Sequence, residues 1–141
     1  MNTQELYEKY NNFDKEFGLK LDVKSPGVVV YEMEIKDQHL SSPRVGHGAS
    51  VAAMMDAILG TTALSQVYDN GNLVSTVEFK INYFKPIFKE DILIATGEIE
   101  FEGKSLIVTT GRIIKKKTGE LVSKGMGTFN IYPMSKRGLF L

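Results

Sequence analysis

Apolar side chains mark out the elements of this chain. From Thr3 to Phe17, Leu6, Tyr10, Phe13 and Phe17 recur at spacings of three or four, which predicts a short amphipathic helix lying on a core. After the Ser25-Pro26-Gly27 turn, Val29, Tyr31, Met33 and Ile35 alternate with Val30, Glu32, Glu34 and Lys36, the period of a half-buried strand. Val45 to Tyr68 breaks that habit. These 24 residues are mainly apolar without alternating, which predicts a buried helix over roughly 48–66, stopped by Asp69-Asn70-Gly71-Asn72.

Alternation then returns. Val77, Phe79, Ile81 and Tyr83 interleave with Thr76, Glu78, Lys80 and Asn82, and Pro86, which cannot donate to a ladder, closes the run. Ile92 to Phe101, Leu106 to Lys116 and Leu121 to Tyr132 follow, parted by Gly103-Lys104 and by Lys117-Thr118-Gly119-Glu120. The expectation is an α+β fold: a short N-terminal helix and one long central helix wrapped by a five-stranded antiparallel sheet, its last four strands making three consecutive hairpins. Residues 1–141 read as one domain, with an N-terminal helical segment at 1–24, a core at 25–132 and a tail at 133–141 ending Leu139-Phe140-Leu141.

Composition removes several classes of function. The 17 basic and 17 acidic side chains cancel, leaving no global field to hold a phosphate backbone, so nucleic acid is not an expected partner. The chain has no cysteine, which excludes disulfides, thiolate metal sites and a cysteine nucleophile, and His39 and His47 alone do not make a zinc site, so no metal is expected. Met1 to Tyr10 is polar and does not read as a signal peptide, and Gly46, His47, Ser50, Asp56, Thr61, Thr62 and Gln66 make the long apolar segment too polar for a lone membrane span. A cytoplasmic protein without membrane contact is expected. Charge is nevertheless segregated: residues 101–141 carry 8 basic and 2 acidic side chains, residues 1–40 carry 5 and 8, and residues 41–100 carry 4 and 7.

The central helix holds the candidate chemistry. Asp56 is the sole charged residue between Arg44 and Asp69, and on a helical wheel it falls in line with Ala49, Ala52, Ala53, Gly60 and Ala63. Val51, Met54, Met55, Ile58 and Leu59 fill the other face. The bulky face suits the sheet, and the small face suits close approach by a second helix, where a carboxylate would be partly desolvated. Upstream, Arg44-Val45-Gly46-His47-Gly48-Ala49-Ser50 opens the helix, whose free amides form a donor site for a developing oxyanion. Nine residues at about 1.5 Å rise separate His47 from Asp56 by roughly 13 Å, too far for both to reach one carbonyl. Two copies packed antiparallel about a two-fold axis near Ala52 would bring the amide end of one helix beside Asp56 of the other, so a homodimer with two equivalent sites is expected.

His47-Gly48-Ala49, Asp56 nine residues after the histidine, Thr76, Asn82-Tyr83 and Pro86 together resemble the hotdog-fold acyl-CoA thioesterases of the phenylacetate-degradation type, over about residues 25–132. The resemblance implies hydrolysis of an acyl-CoA thioester to free acid and CoA, with no cofactor beyond the CoA of the substrate. It implies that Asp56 acts as general base or nucleophile, that the partner subunit's Gly48 amide polarises the carbonyl, that His47 shapes the loop, and that Thr76 holds the water or the carboxylate. Ala49 replaces the family's second glycine, and Ser41 stands where related enzymes often carry Asn or Gln to bind water or carbonyl. Lys104, Arg112 and Lys115 are candidate partners for the CoA phosphates, and Met54, Met55, Leu59, Phe79, Tyr83 and Phe84 candidate walls of an acyl pocket. A hotdog enoyl-thioester hydratase and a non-catalytic acyl-CoA-binding module are the alternatives, and the dimer is a candidate for pairing into a homotetramer.

Overall fold

Thr3 to Phe17 folds as two short helices, α1 (Thr3–Tyr10) and α2 (Asn12–Phe17), because Asn11 interrupts the run and its side chain caps the second. Asn2 and Glu5 form a reciprocal capping box at the start of α1. Phe13, expected on the core, is instead 60% exposed and stacks on Phe17. The structure, a computed structural model, describes residues 1–138, so Leu139-Phe140-Leu141 lie outside the described residues.

Eight strands follow in chain order: β1 (Lys20–Ser25), β2 (Val28–Glu34), β3 (Leu40–Ser42), β4 (Val45–Gly46), β5 (Asn72–Tyr83), β6 (Ile92–Glu102), β7 (Leu106–Lys115) and β8 (Leu121–Pro133). The main sheet has six strands in the order β1-β2-β6-β7-β8-β5, and β3 pairs with β4 alone. The additional strand, β1, places only Leu21 and Val23 between charged neighbours and so gives little apolar signal. Its outer edge is covered by α1, where the Gln4 side-chain amide donates to the Leu21 carbonyl (3.0 Å) and its oxygen accepts from the Val23 amide (2.9 Å), imitating a neighbouring strand.

Two hairpins, β6-β7 and β7-β8, form as expected, but the third does not. β5 pairs with β8 at the far edge, and the connection after Pro86 carries the chain across to β6, whose side away from β7 is occupied by β2 and so is closed to a β5-β6 hairpin. The Val45–Phe88 bridge and the Gly46 amide donating to the Ile87 carbonyl (2.8 Å) hold that crossing segment beneath the start of the long helix.

That helix, α3 (Gly48–Val67), lies in the curl of the sheet with Val51, Met54, Met55, Ile58 and Leu59 buried against it. Its length and apolarity match a membrane span, yet the apolar face is spent on the sheet. The close approach has a specific cause. Gly97 is in register with Gly111, and Gly111 with Gly125, so a row without side chains crosses three neighbouring strands beneath the helix. A Cβ on Gly111 would sit 2.9 Å from the Met55 sulfur, one on Gly125 2.7 Å from it, and one on Gly97 would collide with the Thr62 hydroxyl.

On the opposite side of α3, Ala49, Ala52, Ala53, Asp56, Ala57 and Gly60 are exposed or half-buried, leaving a stripe of small residues that the sheet does not cover. Ala63, expected on the same stripe, is instead fully buried as part of the main core, and nearby Leu6 of α1 packs with Leu64, Tyr68 and Leu73 over the last turns of the helix.

Candidate active site

The segment before α3 is held by His39 and His47. The His39 ring is buried: its Nδ1 accepts from the Lys36 amide (2.9 Å), its Nε2 donates to the Phe17 carbonyl (2.6 Å), and Phe17 meets it edge-on. The His39 carbonyl in turn accepts from the His47 amide (2.7 Å) and the Ser50 hydroxyl (3.1 Å). His39 thus ties the end of α2 to the start of α3.

His47 is the N-cap of α3. Its Nδ1 accepts from the Ala49 amide (2.9 Å), and its carbonyl accepts from the Ser50 amide (2.9 Å). Of the first three amides of the helix, Gly48 alone has no hydrogen-bond partner among the described residues. The two nearby glycines also differ. A Cβ on Gly46 would collide with Ile87, so packing explains that glycine, whereas one on Gly48 would rest at an ordinary 3.6 Å from the Tyr83 ring. Gly48 is exposed, and the Tyr83 hydroxyl donates to its carbonyl (3.1 Å), fixing the turn from below. The result is a presented N–H at the positive end of a helix, suited to a developing oxyanion. Ser41 lies on β3, whose pairing with β4 places it at this end of α3. The His47 ring is engaged through Nδ1 as the helix cap.

Asp56 opens into a different cleft. A cavity of about 600 Å³ is bounded by α1, α3, β5, the end of β8 and the turn after it, and its lining includes Asp56, Thr76, Ser75, Tyr7, Tyr132 and Arg137. Gly48 instead lines a separate hollow of about 300 Å³ with Tyr83 and Ile87. Partial desolvation in the cleft pushes the Asp56 carboxyl above the ordinary aspartate range, with no cation among the described residues drawing it back. At about 1.5 Å per residue, the eight residues from Gly48 to Asp56 span roughly 12 Å. One protomer therefore presents a carboxylate and an unpartnered amide on one helix, out of reach of each other.

Thr76 reaches the Asp56 cleft through an irregularity. In the β5-β8 ladder Thr76 faces Phe129 and Glu78 faces Thr128, so Val77 is an extra, bulged residue. Regular alternation would put Thr76 on the polar outer face with Glu78. The bulge turns it to the helix side, where its partner Phe129 packs at Gly60.

Other expected residues are dispersed. Met54, Met55 and Leu59 are core rather than pocket, Phe79 packs half-buried on that core, and Phe84 is exposed on the Gly48 side. Lys104 sits at the β6-β7 turn, and Arg112 faces outward in mid-β7 opposite Lys124. Lys115 is ion-paired with Asp91 (3.2 Å) and lies over the Phe88 ring, leaving its side chain 14% exposed. These three cations do not converge on one place. Sequence spacing gave no sign of the wall made by Tyr7, Tyr132 and Arg137, because it arises from the two chain ends folding over α3; the one available hint was the apolar and aromatic periodicity of the first helix.

Behind that wall lies a polar cluster. The Tyr31 hydroxyl donates to Asp14 and is 3.2 Å from the Thr61 hydroxyl, which also bonds Tyr7. Burial raises the pKa of Tyr7, Asp14 and Tyr31. The cluster fastens both N-terminal helices onto α3.

The thioesterase superfamily model matches residues 45–122, more than half of the chain. The chain belongs to the thioesterase superfamily. This thioesterase, a thioester hydrolase, is 27% identical over 121 residues to human acyl-coenzyme A thioesterase 13, covering 85% of each chain. The mouse acyl-coenzyme A thioesterase 13 is 26% identical over 104 residues, covering 74% of this chain and 73% of the relative. Among solved structures, the Escherichia coli PaaI protein from the phenylacetic acid degradation operon superposes with a TM-score of 0.80 at 22% identity, covering 92% of this chain and 91% of that one. A thioesterase protein from Streptococcus pneumoniae solved with coenzyme A superposes at 0.73 with 23% identity, covering 82% and 89%. The superpositions show the hotdog fold.

Proposed function

We propose that this thioesterase hydrolyses acyl-CoA thioesters and that each of its sites is built by two copies of the chain. Asp56 and Thr76 come from one protomer and the Gly48 amide from its partner. The names of the two mammalian relatives and the coenzyme A bound to the pneumococcal protein support the substrate class. The observation that carries the shared site is the opening of Asp56 and Gly48, about 12 Å apart on one helix, into separate clefts. The uncovered stripe of Ala49, Ala52, Ala53 and Gly60 supports antiparallel approach of a second α3, and the open edge of β5, paired among the described residues with β8 alone, supports extension of the sheet by the same partner.

In this arrangement the carbonyl oxygen of the thioester accepts from the Gly48 amide. Asp56, ionised, takes a proton from a water aligned by Thr76, and the resulting hydroxide adds to the carbonyl carbon. The tetrahedral oxyanion collapses, the C–S bond breaks, and the CoA thiolate leaves to be protonated. Asp56 attacking the carbonyl itself uses the same groups.

The test separates the two halves of the site. Asp56→Asn removes the base. Gly48→Pro deletes the amide N–H at a first helical position, which suits proline, and the preceding His47 already has the extended backbone proline requires, φ −71° and ψ 137°. Each variant alone should release CoA about 100-fold more slowly or worse, read with a thiol reagent, since the chain has no cysteine to interfere. Dissociated and reassociated in equal amounts, they should recover about a quarter of the unmodified activity, since half the dimers are mixed and each has one intact site. No recovery on mixing, with exchange confirmed by mass, would overturn the shared site.

A further inference from the structure

We infer that Arg137 binds an anion at the far end of the acyl group, so that this enzyme favours thioesters whose acyl chain ends in a carboxylate. The inference rests on the thioesterase reading above and concerns the same cleft.

The cleft has a direction. Asp56 and Thr76 mark one end. Along α3 the wall runs from Asp56 past Gly60 to Leu64, roughly 12 Å, and along β5 from Thr76 to Leu73, roughly 10 Å. Both walls finish together, since Leu64 and Leu73 share a cluster with Leu6. Arg137 lines the cleft from the turn that follows β8. Leu73 is in register with Tyr132, and the Met134 amide donates to the Gly71 carbonyl (2.9 Å), which brings the Met134–Arg137 turn back over the Leu73 end.

Charge on the cleft wall is similarly polarised. Asp56 is its one acid and Arg137 its one base. They do not neutralise each other: Arg137 has no ion-pair partner among the described residues, and burial, with no opposing cation, accounts for the raised pKa of Asp56. A trough apolar in its middle, with the reacting carboxylate at one end and an unpaired guanidinium at the other, complements a substrate whose thioester and anion are separated by a hydrocarbon chain.

Two anions on an acyl-CoA could meet this guanidinium, a carboxylate on the acyl group or a phosphate of CoA. Length favours the first. At about 1.25 Å of extension per bond, a chain of roughly eight to ten carbons spans the trough, whereas the pantetheine arm sets the nearest phosphate roughly 15 Å from the sulfur when extended.

The experiment measures binding without chemistry. Thioether analogues of sebacoyl-CoA and decanoyl-CoA, in which a methylene replaces the thioester carbonyl, are titrated calorimetrically into the unmodified protein, Arg137→Gln and Arg137→Lys. The unmodified protein should bind the carboxylated analogue about tenfold more tightly or better. Arg137→Gln should abolish that preference by weakening the carboxylated analogue alone, and Arg137→Lys should keep part of it. Equal affinity of the unmodified protein for the two analogues would overturn the inference. So would equal weakening of both by Arg137→Gln, which assigns the guanidinium to a CoA phosphate. Failure to turn over any acyl-CoA is a separate result, bearing on the thioesterase reading and leaving these affinities to be judged by themselves.

Discussion

Asp56 sits where the uncovered stripe of α3 meets the cleft, and burial holds its carboxyl above the ordinary aspartate range. The folded protein therefore keeps a proton that the unfolded chain has already lost between the ordinary value and the raised one. Stability falls as pH rises through that window, and the full cost is present above it. Asp56→Asn should accordingly raise the melting temperature at pH 7 while reducing turnover about 100-fold or more, and the thermal gain should fade below about pH 4, where the aspartate is protonated in both states. With Asp56 as base, the acid limb of the kcat/KM profile should lie above the ordinary aspartate value. Tyr31 poses the converse case. Its hydroxyl donates to Asp14, and Tyr31→Phe should cost about 1.5–3 kcal/mol in urea denaturation at neutral pH, less once Asp14 is protonated. Of these residues, Asp56 could be picked out in sequence because a lone charge in an apolar run has no ordinary explanation. Thr76 was named through resemblance, but the residues by themselves put it on the wrong face, because a bulge depends on the pairing of two strands and leaves no trace in the period of one.

At the scale of elements, α3 was legible as an apolar run too long and too continuous for a strand, and the β6-β7-β8 meander because each strand keeps its alternation over ten residues or more. β1 was not, being a short edge strand with charged neighbours, and the place of β5 was not, because alternation reports that a segment is a strand and says nothing of its neighbour. The glycine row beneath α3 escaped notice for a similar reason: Gly97, Gly111 and Gly125 align only after the hairpin registers are set. Gly111→Ala should cost about 1–3 kcal/mol in thermal or urea unfolding, because the added methyl meets Met55, Ile58 and Leu59 at once. An alanine at Gly119, where nothing lies within 4 Å but φ is +76°, should act through backbone strain instead. Truncating Met55 should therefore ease Gly111→Ala and leave Gly119→Ala unchanged.

For the whole molecule, the small-residue stripe and the helix length already argued for a second copy, and the structure leaves that stripe open. The cleft beside Asp56 was beyond sequence reasoning, since α1 and the turn after β8 reach it from opposite ends of the chain. Placing the acid and the oxyanion donor in separate hollows of one helix also bears on when the enzyme can work. If the site is shared as proposed, a newly made protomer would carry every functional group yet stay inert until it met its twin. Hydrolytic capacity would then climb more steeply than protein abundance, and a sparse population would spare the thioesters around it.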